Sequence, residues 1–262
     1  MASLCANLGT SFKCCLPQSQ VQQVTLQEPE PEPPVESTAQ GMRASVFDAS
    51  GGTSQPEPKE EAQPAPTRAA SPAIAVQSIQ AMDPAGVIAT MQNPEFSGNA
   101  ELMGACCKQL RVLCRDDKMC QLCDQLGAAV EVSKAMANHA PVPEVQQQAC
   151  AAIINLCSAR RVEPRDNAAD SGVLKTIVKA MDLHLNYAGI QEMAIIAIQN
   201  IIIGTDARDK QRKMAAIDAG AFASIANAIK KFEGTASVFE QGTGTLRLLC
   251  NKESGLKSRA IA

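Results

Sequence analysis

The chain has no tryptophan and one tyrosine, Tyr187, and aromatic residues make up 3% of its 262 positions. A core must therefore be built from Ala, Ile, Leu, Val, Met and Cys. That mixture suits close-packed helices better than a sheet, where aromatic and β-branched residues dominate. Histidine is almost as scarce: His139 falls in an Asn-His-Ala-Pro loop and His184 at a helix end beside Asn186. Neither stands near a nucleophile motif. There is no phosphate loop, no dinucleotide fingerprint and no His-Glu-x-x-His, so the inventory names no catalytic residue, no cofactor and no metal site. No run approaches the roughly 20 apolar residues that a membrane span needs, and no secretory signal peptide is visible. Strong charge of one sign is also missing. The net charge of −3 gives no pull toward nucleic acid.

The charge is unevenly placed. Residues 1–76 hold 4 basic and 8 acidic side chains, residues 77–262 hold 20 and 19, and 10 of the 15 prolines precede residue 77. Residues 28–34 read Glu-Pro-Glu-Pro-Glu-Pro-Pro, a stiff, solvated stretch that cannot bury a core. Residues 1–76 are therefore expected to form a disordered tail, and residues 77–262 a packed domain.

The first 20 residues carry Cys5, Cys14 and Cys15, one lysine and no acid. The plain reading is a disordered end with incidental cysteines. S-acylation of these thiols would instead make the protein a membrane-tethered adaptor. Ala2 removes the N-myristoylation signal, and one acyl signal alone gives weak membrane residence. An organelle transit peptide is the third reading, and the stretch holds little Arg for one. Ser71, in Arg68-Ala-Ala-Ser-Pro72, is a candidate phosphorylation site between tail and domain. Eleven cysteines, an odd count with adjacent pairs such as Cys106–Cys107, show no disulfide framework. They point to reduced thiols in an intracellular, cytoplasmic protein.

A repeat organises the second region. Leu110-Arg-Val-Leu-Cys114 returns as Ile153–Cys157, Ile198–Ile202 and Leu246–Cys250, at spacings of 43, 45 and 48. Gly86, Gly127, Gly172 and Gly220 drift with it, at 41, 45 and 48. Counting back from the last residue of each marker, position −12 holds Leu102, Val145, Ile190 and Val238, and position −8 holds the small residues Cys106, Ala149, Ala194 and Gly242. Position −4 holds Leu110, Ile153, Ile198 and Leu246, and position −1 holds Leu113, Leu156, Ile201 and Leu249. These offsets form one stripe of a 3.6-residue helix. The small column predicts a close neighbour helix. Each Gly predicts a sharp turn into another helix, whose apolar positions include Met91, Val132, Ile177 and Ile225.

Short helix, Gly turn, medium helix, loop and long helix at this period resemble the armadillo repeat. Asn155-Leu-Cys157, preceded by Ala149 and Ala152, is similar to that family's third-helix ending, Ala-Leu-x-Asn-Leu-Ala. The resemblance covers about residues 77–255. It implies an all-α, right-handed solenoid of about four three-helix repeats, near 77–118, 119–162, 163–208 and 209–255. It also implies a non-catalytic scaffold that binds a protein partner, as a peptide or a helix, along a concave groove. In that family the asparagine of the third helix bonds the main chain of an extended peptide, and the matching positions are Asn155 and Asn200, with Val112 and Leu248 in the flanking repeats. The alternative for both amides is satisfaction of a neighbouring helix's backbone. Lys108, Arg111, Ile196, Gln199 and Arg247 complete the candidate groove. Importin-alpha-type readers carry a Trp four residues before the asparagine. Here Lys108, Ala151, Ile196 and Gly244 hold that place, so no aromatic wall exists for lysine stems.

Three further expectations follow. The helix Ile190–Ile203 is apolar nearly all round, which means burial on several sides or an exposed patch for a partner helix. Cys120-x-x-Cys123 reads as small buried apolar residues, because a zinc site would need a second matching pair. Finally, Asn251–Ala262 resembles the opening of the fourth repeat. It predicts a partial fifth repeat, 252–262, packing Leu256 and Ile261 around Phe239 and Leu246, with self-association possible through that end.

Overall fold

The computed structural model describes residues 76–158 and 161–250, and every regular element among them is an α-helix. Cys5, Cys14, Cys15 and Ser71 lie outside the described residues, as do the tail and the 252–262 segment with Leu256 and Ile261. The helices are α1 (Val76–Ile79), α2 (Pro84–Gln92), α3 (Ala100–Leu113), α4 (Asp117–Gln125), α5 (Ala128–Asn138), α6 (Pro143–Leu156), α7 (Glu163–Asp170), α8 (Val173–Leu183), α9 (Ala188–Ile202), α10 (Asp209–Asp218), α11 (Ala221–Lys231) and α12 (Ala236–Leu249).

Local chemistry sets their ends. Asp83 accepts from the Gly86 N–H at 2.8 Å and Pro84 opens α2. Asn99 accepts from Leu102 N at 3.0 Å at the start of α3, and Asp116 accepts from Lys118 N and Met119 N at the start of α4. These side chains take up N–H groups that the first turn leaves without an intrahelical partner. Gly127, Gly172 and Gly220 precede α5, α8 and α11 with φ of 81°, 83° and 91°, a conformation that costs any other L-residue about 1–2 kcal/mol.

Gly86 departs from the expected turn. It lies in the first turn of α2, with Asp83 as the cap. Asp83-Pro84 supplies the helix start there, so no left-handed residue is needed.

Packing follows a rule of three. α3 packs on α6, α6 on α9 and α9 on α12, while α2 packs on α5, α5 on α8 and α8 on α11. The short helices obey it too, α4 on α7 and α7 on α10. The column residues are the reason. Positions −12, −8 and −4 are buried in all four long helices, and at position −1 only Leu113 is half-buried. The small column does what its size permits: Gly242 presents its backbone to Ile229, where a Cβ would come within 2.7 Å of the isoleucine side chain. The apolar α9 is the central member. It meets α6 and α12 on its sides and α7, α8 and α10 as well. Ile195, Ile196 and Ala197 are accordingly buried, and the exposed-patch expectation for this helix is corrected. Among the described residues no helix is long and apolar enough to cross a membrane.

Candidate interaction surface

Offsets −13, −9, −6 and −2 share one face of the long helices, the face that holds the expected asparagine rungs. The rungs themselves are buried. Asn155 is 0% exposed and donates from Nδ2 to the Arg111 carbonyl at 2.8 Å, while Asn200 is 5% exposed and donates to the Ile154 carbonyl at 3.0 Å. Each amide reaches the C-terminal turn of the preceding long helix. There it takes up a carbonyl that the helix end cannot satisfy internally. In this structure the amides join helix to helix and do not face solvent. Ile196, four residues before Asn200, is buried with it.

The face is open elsewhere. On α3, Lys108 and Val112 are exposed, Val112 by 39%. On α6 and α9 the N-terminal halves remain accessible through Glu144, Gln148, Gly189 and Met193, whereas Ala151 and Ile196 close the C-terminal halves. On α12, Gln241, Gly244 and Leu248 are half-buried. Of the remaining candidates, Arg247 is exposed, Arg111 is buried, and Gln199 is half-buried and accepts from the Thr245 hydroxyl at 3.2 Å. The candidate set is therefore not one continuous strip. Lys108 and Arg247 are available at opposite ends, and the centre is built of side chains engaged within the stack.

Three sets of polar residues that tie the helices together carry no signal in the sequence repeat as read above. His139 and His184 cap the C-termini of α5 and α8. Their Nε2 atoms lie 2.8 Å from the Ser97 carbonyl and 2.7 Å from the Ala140 carbonyl. Both follow a marker glycine by twelve positions, a signal that was present in the numbering, and Phe232 takes that place after Gly220. Gln146 donates to the Met136 and His139 carbonyls, and Gln191 to those of Met181 and His184. Each glutamine thereby ties a long helix to the end of the helix before it. The third set is ionic. Arg212 donates to Asp166 and Asp206, and Arg208 donates to Asp170.

The thiols form a separate group. Cys106 and Cys150 are pushed up to about 12 by burial. Hydrogen bonding with the Cys120 and Cys123 side chains, together with burial, pushes the Cys114 thiol up further. The same Cys114 thiol draws Cys120 below the usual thiol range, although burial opposes the shift. Among the described residues no three His, Cys, Asp or Glu side chains are disposed to hold a metal ion.

No protein-family model matches the chain, and no curated protein matches it.

Proposed function

We propose that the chain is an armadillo-like solenoid of about four repeats acting as a non-catalytic, cytoplasmic scaffold, and that it captures a protein partner along the open parts of its long-helix face. The observation that supports this most directly is the recurrence of the same hydrogen bonds one unit apart. Asn155 and Asn200 reach the preceding long helix, and His139 and His184 reach the preceding loop, with partner separations of 44 and 46 residues for the amides and 42 and 44 for the imidazoles. A stack in which each unit contacts its neighbours is how solenoids distribute stability, and it leaves an extended face free for a partner.

The partner's landing points differ from those implied by resemblance alone. With Asn155 and Asn200 engaged in the stack, binding falls to Lys108 and Val112 on α3, Gln148 on α6, Met193 on α9 and Arg247 on α12. This surface mixes one apolar patch at α3 with two cationic ends, which suits a segment carrying an apolar anchor and acidic flanks.

Photocrosslinking tests the reading. A benzoylphenylalanine at position 112 or 193 of the full chain should yield one discrete crosslinked protein from extract. The species should disappear when Lys108→Glu is added. The same probe at Val130, exposed on α5 and outside the long helices, should stay blank. Equal crosslinking from all three positions would remove the face from consideration.

A further inference from the structure

The helices that follow Gly127, Gly172 and Gly220 each carry two stripes. Counted from the glycine, positions 1, 5, 8 and 9 of α5, α8 and α11 are all buried, from Ala128, Val132, Ala135 and Met136 to Ala221, Ile225, Ala228 and Ile229. Positions 3, 7, 10 and 11 form the opposite stripe by helical spacing, and every residue on it is exposed in all three helices. α8 packs on both α5 and α11, so the three outward stripes adjoin. Two bonds set their register. Thr176 Oγ1 donates to Met136 Sδ at 3.6 Å, and Ser224 Oγ donates to Asp182 Oδ1 at 2.7 Å.

The joined surface is cationic. It presents Lys134 on α5, Lys175 and Lys179 on α8, and Lys230 and Lys231 on α11, with Val130 and Leu183 exposed among them. Its one acid is Asp182, already engaged by Ser224. Lys134 pairs with the buried Glu131 at 3.0 Å, and the other four lysines have no ion pair among the described residues. Charge is spread differently on the short helices. α4, α7 and α10 together hold five basic and seven acidic residues, whereas α5, α8 and α11 hold five and two. The kind of cation narrows the partner further, because α5, α8 and α11 contain no arginine. Arginine's planar fork reads phosphates and carboxylates in pairs, while lysine is a point charge on a flexible apolar stem. Such stems lie along an apolar layer and keep the ammonium in its polar rim.

We propose that the outward face of α5, α8 and α11 docks on an anionic phospholipid bilayer. The lysines sit among the charged headgroups, and Val130 and Leu183 meet the apolar boundary beneath them. The long-helix face belongs to other helices, so a scaffold held in this way keeps that face for a protein partner, and the docking does not depend on partner capture there. It also supplies what the N-terminal thiols lack. An acyl chain on Cys5, Cys14 or Cys15 would by itself give only weak, reversible residence, and a basic patch is the second signal that makes such an anchor stable.

The test is co-sedimentation of the purified full chain, carrying no acyl group, with phospholipid vesicles. Binding is expected with phosphatidylcholine containing roughly one-third phosphatidylserine, should be absent with phosphatidylcholine alone, and should fall steeply with added salt. Lys175→Gln with Lys179→Gln should weaken it by about tenfold or more, and Lys230→Gln with Lys231→Gln by a similar factor. Lys108→Gln with Arg247→Gln removes the same charge from the exposed long-helix positions and should leave binding unchanged. Duplex DNA at equal phosphate concentration should not strip the protein from the vesicles. Far-UV circular dichroism checks the fold of each variant, and should the α8 pair unfold, the α11 pair decides. No binding to the anionic vesicles, an equal loss in the Lys108 and Arg247 pair, or displacement by the DNA overturns the proposal.

Discussion

Arg212 Nη1 donates to Asp166 Oδ1 at 2.6 Å, joining α10 to α7 across 46 residues of sequence. The arginine side chain has no exposed surface, and its Nη2 donates to Asp206 Oδ2 at 2.6 Å. Gly204 makes room for it, since a Cβ there would collide with the guanidinium. A fully buried cation is tolerable only with such partners. The double substitution Asp166→Asn with Asp206→Asn should therefore destabilise the protein by about 3–5 kcal/mol, more than the sum of the single changes, in urea unfolding. Single values that add to the double would mean that the two carboxylates act independently.

The same pair sets an acid limb. The Arg212 hydrogen bond holds the Asp206 carboxyl well below the usual carboxylate range. A carboxylate with a depressed folded value stabilises the protein above its unfolded value, near 3.9, and loses that contribution as pH falls through the folded value. The melting difference between wild type and Asp206→Asn should thus be full at pH 5 and shrink steadily below about pH 4. A difference that grows on acidification would contradict the assignment.

Asn155→Ala and Asn200→Ala should act on the fold. Each change leaves a helix-end carbonyl, that of Arg111 or Ile154, without its donor. The expected cost is about 1–3 kcal/mol each in thermal or chemical unfolding. Partner capture should change only as far as the folded fraction changes. Unaltered melting with lost binding would return these amides to the docking surface.

His139→Ala and His184→Ala should each cost about 1–3 kcal/mol by orphaning the Ser97 or Ala140 carbonyl and emptying a packed site. Phenylalanine already occupies the corresponding position, Phe232, after Gly220. His139→Phe should accordingly recover part of the loss, by refilling the volume without restoring the hydrogen bond. A phenylalanine variant less stable than the alanine one would show that this site differs in shape from the one around Phe232.

Gly242→Ala tests the close approach of α12 to α11. The added methyl would meet Ile229 Cγ1 at 2.7 Å, and overpacking of this kind costs about 1–3 kcal/mol. Adding Ile229→Val should relieve part of it. A Gly242→Ala protein as stable as wild type would mean that the isoleucine turns aside freely.

The sequence by itself determined that the described region is helical and which face of each long helix is buried. The reason is periodic: Leu102, Cys106, Leu110 and Leu113 recur as a set, and a 3.6-residue helix can bury them only along one stripe. It also determined the turns at Gly127, Gly172 and Gly220, because only glycine takes positive φ without cost. At Gly86 the same marker misled, since Asp83-Pro84 starts that helix by another chemistry. What tertiary structure decided was where polar atoms go. Asn155 offers the same amide to a peptide or to the Arg111 carbonyl, and only the approach of α3 to α6 selects the second. The burial of Ile196, the imidazole bonds to Ser97 and Ala140, the enclosure of Arg212 and the meeting of Cys114 with Cys120 depend likewise on pairs of helices arriving together. Hydrogen-bond donors and sulfur atoms carry no periodic signal of their own, so their partners are fixed only once the apolar columns have brought the helices into contact.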